Sequence, residues 1–154
     1  MKPAAVDTEF LRALNSILAQ WTSPDFITAV ASREGVNLDP GAITVVRILR
    51  AIGPQRPSAL ATRMVTGASN ISKIAARLQD AGIIHKLADP QDSRASLLAL
   101  TEAGQDTADA LGRSGDSLVE ELIGHWPAAD KAELLRLVSS FEAETRRVAA
   151  ELRN

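Results

Sequence analysis

The sequence predicts a mainly α-helical fold of the α+β class, and three observations lead to this prediction. Aromatic residues make up only 3% of the chain and tyrosine is absent, whereas the helix-favouring residues alanine, leucine, arginine and glutamate are abundant. Most apolar residues recur at helical spacing. One short region instead has two apolar runs around a polar turn, which is typical of a β-hairpin. The length of 154 residues suits one compact domain with helical extensions.

The N-terminal segment contains an apolar stripe between Phe10 and Trp21 whose spacing predicts an amphipathic helix. Pro24 interrupts this helix, because proline lacks an amide donor and disfavours helix at the residue before it. Residues 25–33 then continue either as a second helix or as the same helix after a kink. Gly35 ends this segment.

The middle of the chain is predicted to form one longer helix, followed by two helices that are joined by a short turn. Asp39 as N-cap and Pro40 at the first helical position begin the longer helix, which ends at Gly53. A short helix follows from about residue 57 to 64, and another covers residues 68–81. The three or four residues between these two helices include a glycine, as in a helix-turn-helix.

A β-hairpin is predicted directly after the helix-turn-helix. Its strands are expected over residues 83–88 and 95–100, separated by a polar, turn-rich loop over residues 89–94. A helix-turn-helix followed immediately by a β-hairpin defines a winged helix-turn-helix.

Two long helices are predicted after the hairpin. Thr101 caps the first, and Pro127 marks the break before a final amphipathic helix of about 25 residues. Apolar stripes of this length must be buried against another surface. A second copy of the chain is the simplest partner, so a homodimer is predicted. The predicted organisation is an N-terminal dimerisation region over residues 1–35, a winged helix-turn-helix domain over residues 36–100 and C-terminal dimerisation helices over residues 101–154.

Basic residues are concentrated in the middle of the chain, although the formal net charge is only -2. From Arg47 to Arg94 there are eight basic and three acidic residues, whereas the rest of the chain holds nine basic and sixteen acidic ones. A basic segment between acidic arms is typical of a protein in which one segment faces a nucleic acid. Chance clustering on solvated helix faces is the alternative.

Composition and motifs argue against several other classes of protein. The chain has no cysteine, which excludes disulfides, thiolate zinc sites and cysteine redox switches. Two histidines, His85 and His125, are too few for a zinc site, and no metal or cofactor is expected. A Gly-rich phosphate loop, a nucleophile elbow and a His-Glu-x-x-His motif are all missing, so we expect no enzyme. The sequence shows no signal peptide or spanning segment, so we expect a cytoplasmic protein without a membrane partner.

The winged segment resembles the MarR (multiple antibiotic resistance regulator) family. Asp89, Asp92 and Arg94 follow that family's wing pattern, and Leu-Thr-Glu-Ala-Gly at residues 100–104 follows its Leu-Thr-x-x-Gly motif. Gln91 stands where the family usually has an arginine that reaches the minor groove, so strong contact there is not implied. The resemblance covers nearly the whole chain. It implies a homodimeric transcription regulator, a repressor, that binds double-stranded operator DNA.

The helix over residues 68–81 carries the predicted DNA contacts. Its apolar stripe turns inward, which leaves short polar and basic side chains for the major groove. Asn70 can pair with adenine, and Lys73 can donate to guanine or phosphate. A solvated surface face is the alternative interpretation. The residues assigned to DNA on this helix are Ala68, Ser69, Asn70, Ser72, Lys73 and Arg77.

The wing contributes two further candidates, Gln91 and Arg94. The family resemblance implies that Arg94 braces the hairpin through the aspartates. Either an exposed ion pair between Arg94 and Asp92 or a direct phosphate contact by Arg94 would fit its position.

The resemblance also implies that a small aromatic or phenolic effector, often anionic, releases the DNA. Trp21 and Phe26 flank the break at Pro24, and together with Arg47 they would supply apolar walls and one cation. The alternative is that the two aromatic residues belong to the core and that Arg47 is a surface charge.

A winged-helix scaffold that dimerises and binds proteins without specific DNA binding is the competing function. The confinement of basic charge to residues 47–94, together with asparagine and serine on the second helix of the motif, favours DNA.

Overall fold

The computed structural model describes the backbone of residues 3–153 and the side chains of residues 7–92 and 94–153. This part of the chain is mainly helical, with a single two-stranded sheet, which confirms the predicted fold class. Along the chain the elements are α1 (Pro3–Trp21), α2 (Pro24–Ser32), α3 (Pro40–Ile52), α4 (Pro57–Arg63), α5 (Ala68–Asp80), β1 (Ile84–Asp89), β2 (Asp92–Leu100), α6 (Glu102–Ile123) and α7 (Ala128–Glu151).

The break near Pro24 separates two distinct helices, which decides between the two alternatives that the sequence leaves open. Ser23 is the N-cap of α2, and its Oγ accepts a hydrogen bond from the backbone N–H of Phe26 at 3.3 Å. Pro24 occupies the first turn, where its missing N–H costs nothing. A serine before a proline therefore starts a new helix here instead of kinking the old one.

The core lies between α3, α4, α5, the hairpin and the first half of α6. Asp39 caps α3 as predicted, since its Oδ1 accepts from the Ala42 N–H at 3.1 Å, and Gly53 ends the helix with a φ of +78°. Left-handed φ values of this kind suit glycine at a helix C-terminus. The largest buried apolar side chains of this core are Ile43, Val45, Val46, Leu60, Ile71, Leu78, Leu98 and Leu111.

The hairpin is antiparallel, with Ile84 opposite Leu100 at its base and Asp89 opposite Asp92 at its tip. The prediction of a loop over residues 89–94 is wrong in length, because only two residues separate the strands. Asp89 Oδ1 accepts from the Gln91 N–H at 2.8 Å, and Asp92 Oδ1 accepts from the Arg94 N–H at 3.0 Å. These bonds satisfy the backbone within a tight turn.

The described chain forms two compact units, one ending at Gly115 and the other beginning at Asp116. In the first unit Thr101 Oγ1 accepts from the Gly104 N–H at 3.0 Å, which confirms its predicted capping role. In the second, α7 is 24 residues long, close to the predicted 25, and contains no buried residue. The division into regions 1–35, 36–100 and 101–154 stays a prediction. None of the described helices combines the length and hydropathy needed to span a membrane.

Candidate nucleic-acid interface

The helix-turn-helix consists of α4, residues 64–67 and α5. Val65 has a φ of +50° in the turn, a left-handed conformation that is unusual for a β-branched residue. The Thr66 N–H donates to the Ala61 carbonyl at 3.0 Å, which ties the turn back to α4. Gly67 then begins α5 as its N-cap.

The two faces of α5 have opposite character. Ile71, Ile74, Ala75 and Leu78 are buried, as the apolar stripe predicts. Ala76, to which the sequence assigns no contact, is exposed. All of the α5 residues assigned to DNA are exposed: Ala68, Ser69, Asn70, Ser72, Lys73 and Arg77.

Three of these exposed side chains are held by neighbours. Asn70 Nδ2 donates to Thr66 Oγ1 at 3.0 Å, and Ser72 Oγ donates to the Ala68 carbonyl at 3.0 Å. Arg77 Nη2 lies 2.9 Å from Asp39 Oδ2. The charge of Arg77 is therefore shared with a carboxylate, and the guanidinium links α5 to the N-cap of α3.

The brace of the wing is an ion pair that the sequence analysis missed. Arg56 Nε donates to Asp89 Oδ2 at 2.5 Å, and the side chain of Asp89 is only 4% exposed. Hydrogen bonding to Arg56, with a further bond from the Gln91 N–H, holds the pKa of Asp89 below its usual value. The same hydrogen bond raises the pKa of Arg56. Because Arg56 directly precedes α4, the pair fixes the hairpin to the helix-turn-helix.

The expectation that the Arg94 guanidinium braces the hairpin through an aspartate is therefore wrong. Asp92 binds the backbone amide of Arg94, and Asp89 is already bound by Arg56. Within the described residues the exposed guanidinium of Arg94 has no ion-pair partner, which leaves it available to a phosphate. Sequence offers little signal for the true pair, because its members are 33 residues apart.

A strand-like segment adds a second link between the wing and the helices. Gln55 and Leu98 exchange two backbone hydrogen bonds, of 3.0 and 2.8 Å. With the neighbouring pair of Arg56 and Asp89, this bridge holds the wing in a fixed position beside α4 and α5.

The basic residues between Arg47 and Arg94 fall into two groups. Arg50, Arg56 and Arg77 are paired with Asp109, Asp89 and Asp39, respectively. The others have no ion pair within the described part of the chain, so their charge is available to an anionic partner. This second group consists of Arg47, Arg63, Lys73, Lys86 and Arg94.

A cleft of about 290 Å³ lies between α3 and the first half of α6. Its lining is Arg47, Arg50, Ala51, Ala108, Leu111, Gly112 and Gly115. Trp21 and Phe26 are not part of this lining. Trp21 is 46% exposed on α1 and Phe26 is half-buried on α2, so the structure does not bring the three predicted effector residues together at this cleft.

The fold and the exposed polar face of α5 define a winged helix-turn-helix protein. Residues 38–96 match the protein-family model described as MarR family. An uncharacterized HTH-type transcriptional regulator of Bacillus subtilis (strain 168), YxaD, is 28% identical over 95 residues. That match spans 62% of this chain and 66% of the relative, just under two thirds of its length.

Solved structures share the fold over most of their length. A MarR family protein from Bacillus stearothermophilus has a TM-score of 0.80 at 12% identity, covering 95% of this chain and 99% of the other. Wild-type MarR from Escherichia coli in its apo form has a TM-score of 0.67 at 20% identity, covering 85% and 96%, respectively. The similarity to the MarR family model therefore covers residues 38–96, and the solved structures show that the fold is shared over most of the chain.

Proposed function

We propose that the protein represses transcription by binding a pseudo-palindromic operator as a homodimer. The observation that carries the proposal is the outward face of α5, where Ser69, Asn70 and Lys73 are exposed opposite a fully packed core stripe. Short polar and basic side chains on one helix face match the donors and acceptors of the major groove. The similarity of residues 38–96 to the MarR family supports DNA binding as well.

A two-fold dimer would place one α5 helix in each of two successive major grooves, with half-sites about one helical turn apart. A dimer bound in this way would sterically prevent other proteins from binding the same DNA. Repression is therefore the proposed outcome. The proposed dimerisation regions are residues 1–35 and 101–154, and the proposed DNA-binding domain is residues 36–100.

The candidate residues have different proposed roles. Asn70 reads adenine, Lys73 contacts guanine or phosphate, and Arg94 contacts phosphate. Ala68, Ser69 and Ser72 line the same helix face. Arg77 contributes less to phosphate binding than a free arginine would, because Asp39 shares its charge. Gln91 lies in the turn of the wing, where a neutral amide gains little from the negative potential of the minor groove.

Replacing Asn70 by alanine tests the proposed reading of bases. We expect the loss of about 1–3 kcal/mol in binding to the operator and a much smaller loss on random DNA. Arg94→Ala should instead weaken binding to both DNAs and lower the salt slope by about one unit, because it removes a phosphate contact. Fluorescence anisotropy at several salt concentrations, with DNA flanking the protein's own gene, measures these effects.

Arg146→Ala on α7 is the control for the loss of an arginine, and it should leave the salt slope unchanged. Unchanged operator affinity in Asn70→Ala would contradict the placement of α5 in the groove. If the wild-type protein shows no preference for any DNA, the protein-interaction scaffold becomes the better description.

We also propose that a small aromatic anion controls operator binding from the cleft beside α3. Arg47 supplies a cation without an ion-pair partner within the described residues, next to the apolar walls of Ala51 and Leu111. A carboxylate or phenolate on an aromatic ring fits this combination of one charge and apolar surface. Trp21 and Phe26 stay candidates from the sequence alone.

Titration with benzoate, 2-hydroxybenzoate and phenol tests this control, with isothermal titration calorimetry as the readout. Arg47→Gln should weaken binding of the carboxylates at least tenfold, by loss of about 1.4 kcal/mol or more from a charge-assisted contact, whereas Arg63→Gln should not. An effector that weakens operator binding must bind the DNA complex less tightly by the same factor. No binding of these compounds, with or without operator, would refute control by this class of ligand.

A further inference from the structure

The turn of the helix-turn-helix holds the side chain of Asn70 before any DNA is present. Asn70 Nδ2 donates to Thr66 Oγ1 at 3.0 Å, across the junction between the turn and the first turn of α5. Asn70 is exposed and Thr66 is half-buried. An exposed asparagine would otherwise rotate among several rotamers.

The backbone of the turn fixes Thr66 at this place. Val65 has a φ of +50° and is 93% exposed. The Thr66 N–H is bound to the Ala61 carbonyl at 3.0 Å. A strained residue of this kind persists only where its surroundings hold it in place. The backbone of the turn therefore fixes the position of the Thr66 hydroxyl beside α5.

The hydrogen bond to Thr66 leaves the groups that adenine needs. An asparagine amide has two N–H donors and one acceptor oxygen. Thr66 occupies one donor of Asn70, so the second N–H and Oδ1 stay available. Adenine presents an acceptor at N7 and a donor at N6 in the major groove, which is the complement of that remaining pair.

We propose that Thr66 is a positioning residue that presets the Asn70 amide to read adenine. The proposal rests on the proposed function, because it assumes that α5 enters the major groove. Side chains that become ordered on binding DNA lose conformational entropy, which weakens binding. A side chain that is already ordered in the free protein loses less. Thr66 therefore acts on operator affinity and base preference through Asn70, without a base contact of its own.

The bond has a purely structural alternative, which is stabilisation of the N-terminus of α5. Gly67 is the N-cap and provides no side-chain hydrogen bond, so a nearby hydroxyl contributes to helix stability in either case. A structural role would change folding and would affect all DNA sequences alike. A positioning role would be visible only on the base that Asn70 reads, and only while Asn70 is present.

Thr66→Val tests the proposal, because it removes the hydroxyl and keeps the shape of the side chain. We expect operator binding to weaken about 3- to 10-fold, with binding to random DNA unchanged. Thr66→Ser restores the hydroxyl and should bind the operator within about twofold of the wild type. Fluorescence anisotropy at fixed salt measures all three proteins, and thermal unfolding by circular dichroism shows whether each is folded.

A double-mutant cycle with Asn70→Ala separates the two roles. In the Asn70→Ala background, Thr66→Val should have no further effect on operator affinity. The affinity for operators in which each A·T pair is replaced in turn by G·C locates the base that Asn70 reads. The loss of affinity on replacing that pair should be smaller in Thr66→Val than in the wild type, at the same position where it is smaller in Asn70→Ala.

Equal effects of Thr66→Val with and without Asn70 would overturn the proposal, as would wild-type affinity of a folded Thr66→Val protein. Should Thr66→Val fail to fold, Thr66→Ala replaces it in the same cycle and is judged by the same criteria. Equal binding of the wild type to operator and random DNA would instead refute the proposed function, and the positioning role with it.

Discussion

Glutamate at Phe141 and at Val148 of α7 should turn the protein into monomers or aggregates and remove most of its affinity for the operator. Residues 141 and 148 are seven positions apart and so lie on one face of the helix. These two residues are 45% and 42% exposed, and they line one groove together with Glu144, Thr145, Ala149 and Leu152. Two charges on this stripe would have to be desolvated in a dimer.

The structure of α7 by itself gives the physical reason to expect a partner. A 24-residue helix without a buried residue has little to stabilise it in water, since helices in proteins depend mainly on packing of an apolar face. Its exposed apolar side chains include Leu135, Leu137, Val138, Val148 and Leu152. Self-association through this stripe would bury these apolar side chains.

Loss of the dimer would also separate the two half-site contacts. Binding of the second half-site is then no longer intramolecular, so operator affinity should fall by about 10²- to 10⁴-fold. Sedimentation equilibrium and anisotropy on the full operator measure the two effects. Ala143→Glu with Ala150→Glu is the matched control, because it adds the same charges on the opposite face of α7 and should leave a dimer. A folded Phe141→Glu/Val148→Glu monomer with native operator affinity would contradict the proposed assembly.

Local signals in the sequence were sufficient for most of the fold. Asp39 before Pro40 marks the start of α3 because a short carboxylate can accept an amide hydrogen bond from the first turn. The stripe on α5 predicts its buried face because a helical period repeats within the element itself. Interactions over three or four residues require no knowledge of the tertiary fold.

The details that the sequence did not predict depend on residues distant along the chain or on a choice between local conformations. Arg56 and Asp89 meet only because the hairpin folds back onto the start of α4, so nothing near Asp89 in the sequence indicates its partner. The wing was predicted with too long a loop, because polar residues that favour turns can also continue a strand when their side chains bind the backbone. The proposed role of Thr66 has no signal in the sequence, because it depends on the left-handed turn at Val65.

Both the sequence motif and the structure require glycine at position 104. Gly104 closes the Leu-Thr-x-x-Gly motif and is buried in the first turn of α6. A Cβ atom at this position would lie 2.0 Å from the carbonyl oxygen of Ile83 and 3.2 Å from Leu100 Cβ. The absence of a side chain therefore allows α6 to begin directly against the segment that joins α5 to the wing.

Gly104→Ala should destabilise the protein by about 2–3 kcal/mol, even though alanine favours helix over glycine by about 1 kcal/mol. The obstacle is backbone, so the start of α6 must move away from Ile83. That movement would stretch the bonds from Thr101 Oγ1 to the carbonyls of Gly82 and Ile83, which are 2.6 and 3.1 Å long. The loss corresponds to a fall in Tm of about 5–10 °C for a protein of this size.

Gly112→Ala on the same helix is the matched control for this substitution. A Cβ at Gly112 would meet no atom within 4 Å, so only the gain in helix propensity remains and Tm should stay the same or rise. Thermal unfolding by circular dichroism at equal protein concentration compares the two variants with the wild type. A Gly104→Ala protein that unfolds at or above the wild-type temperature would show that α6 does not pack against Ile83 as closely as the structure has it.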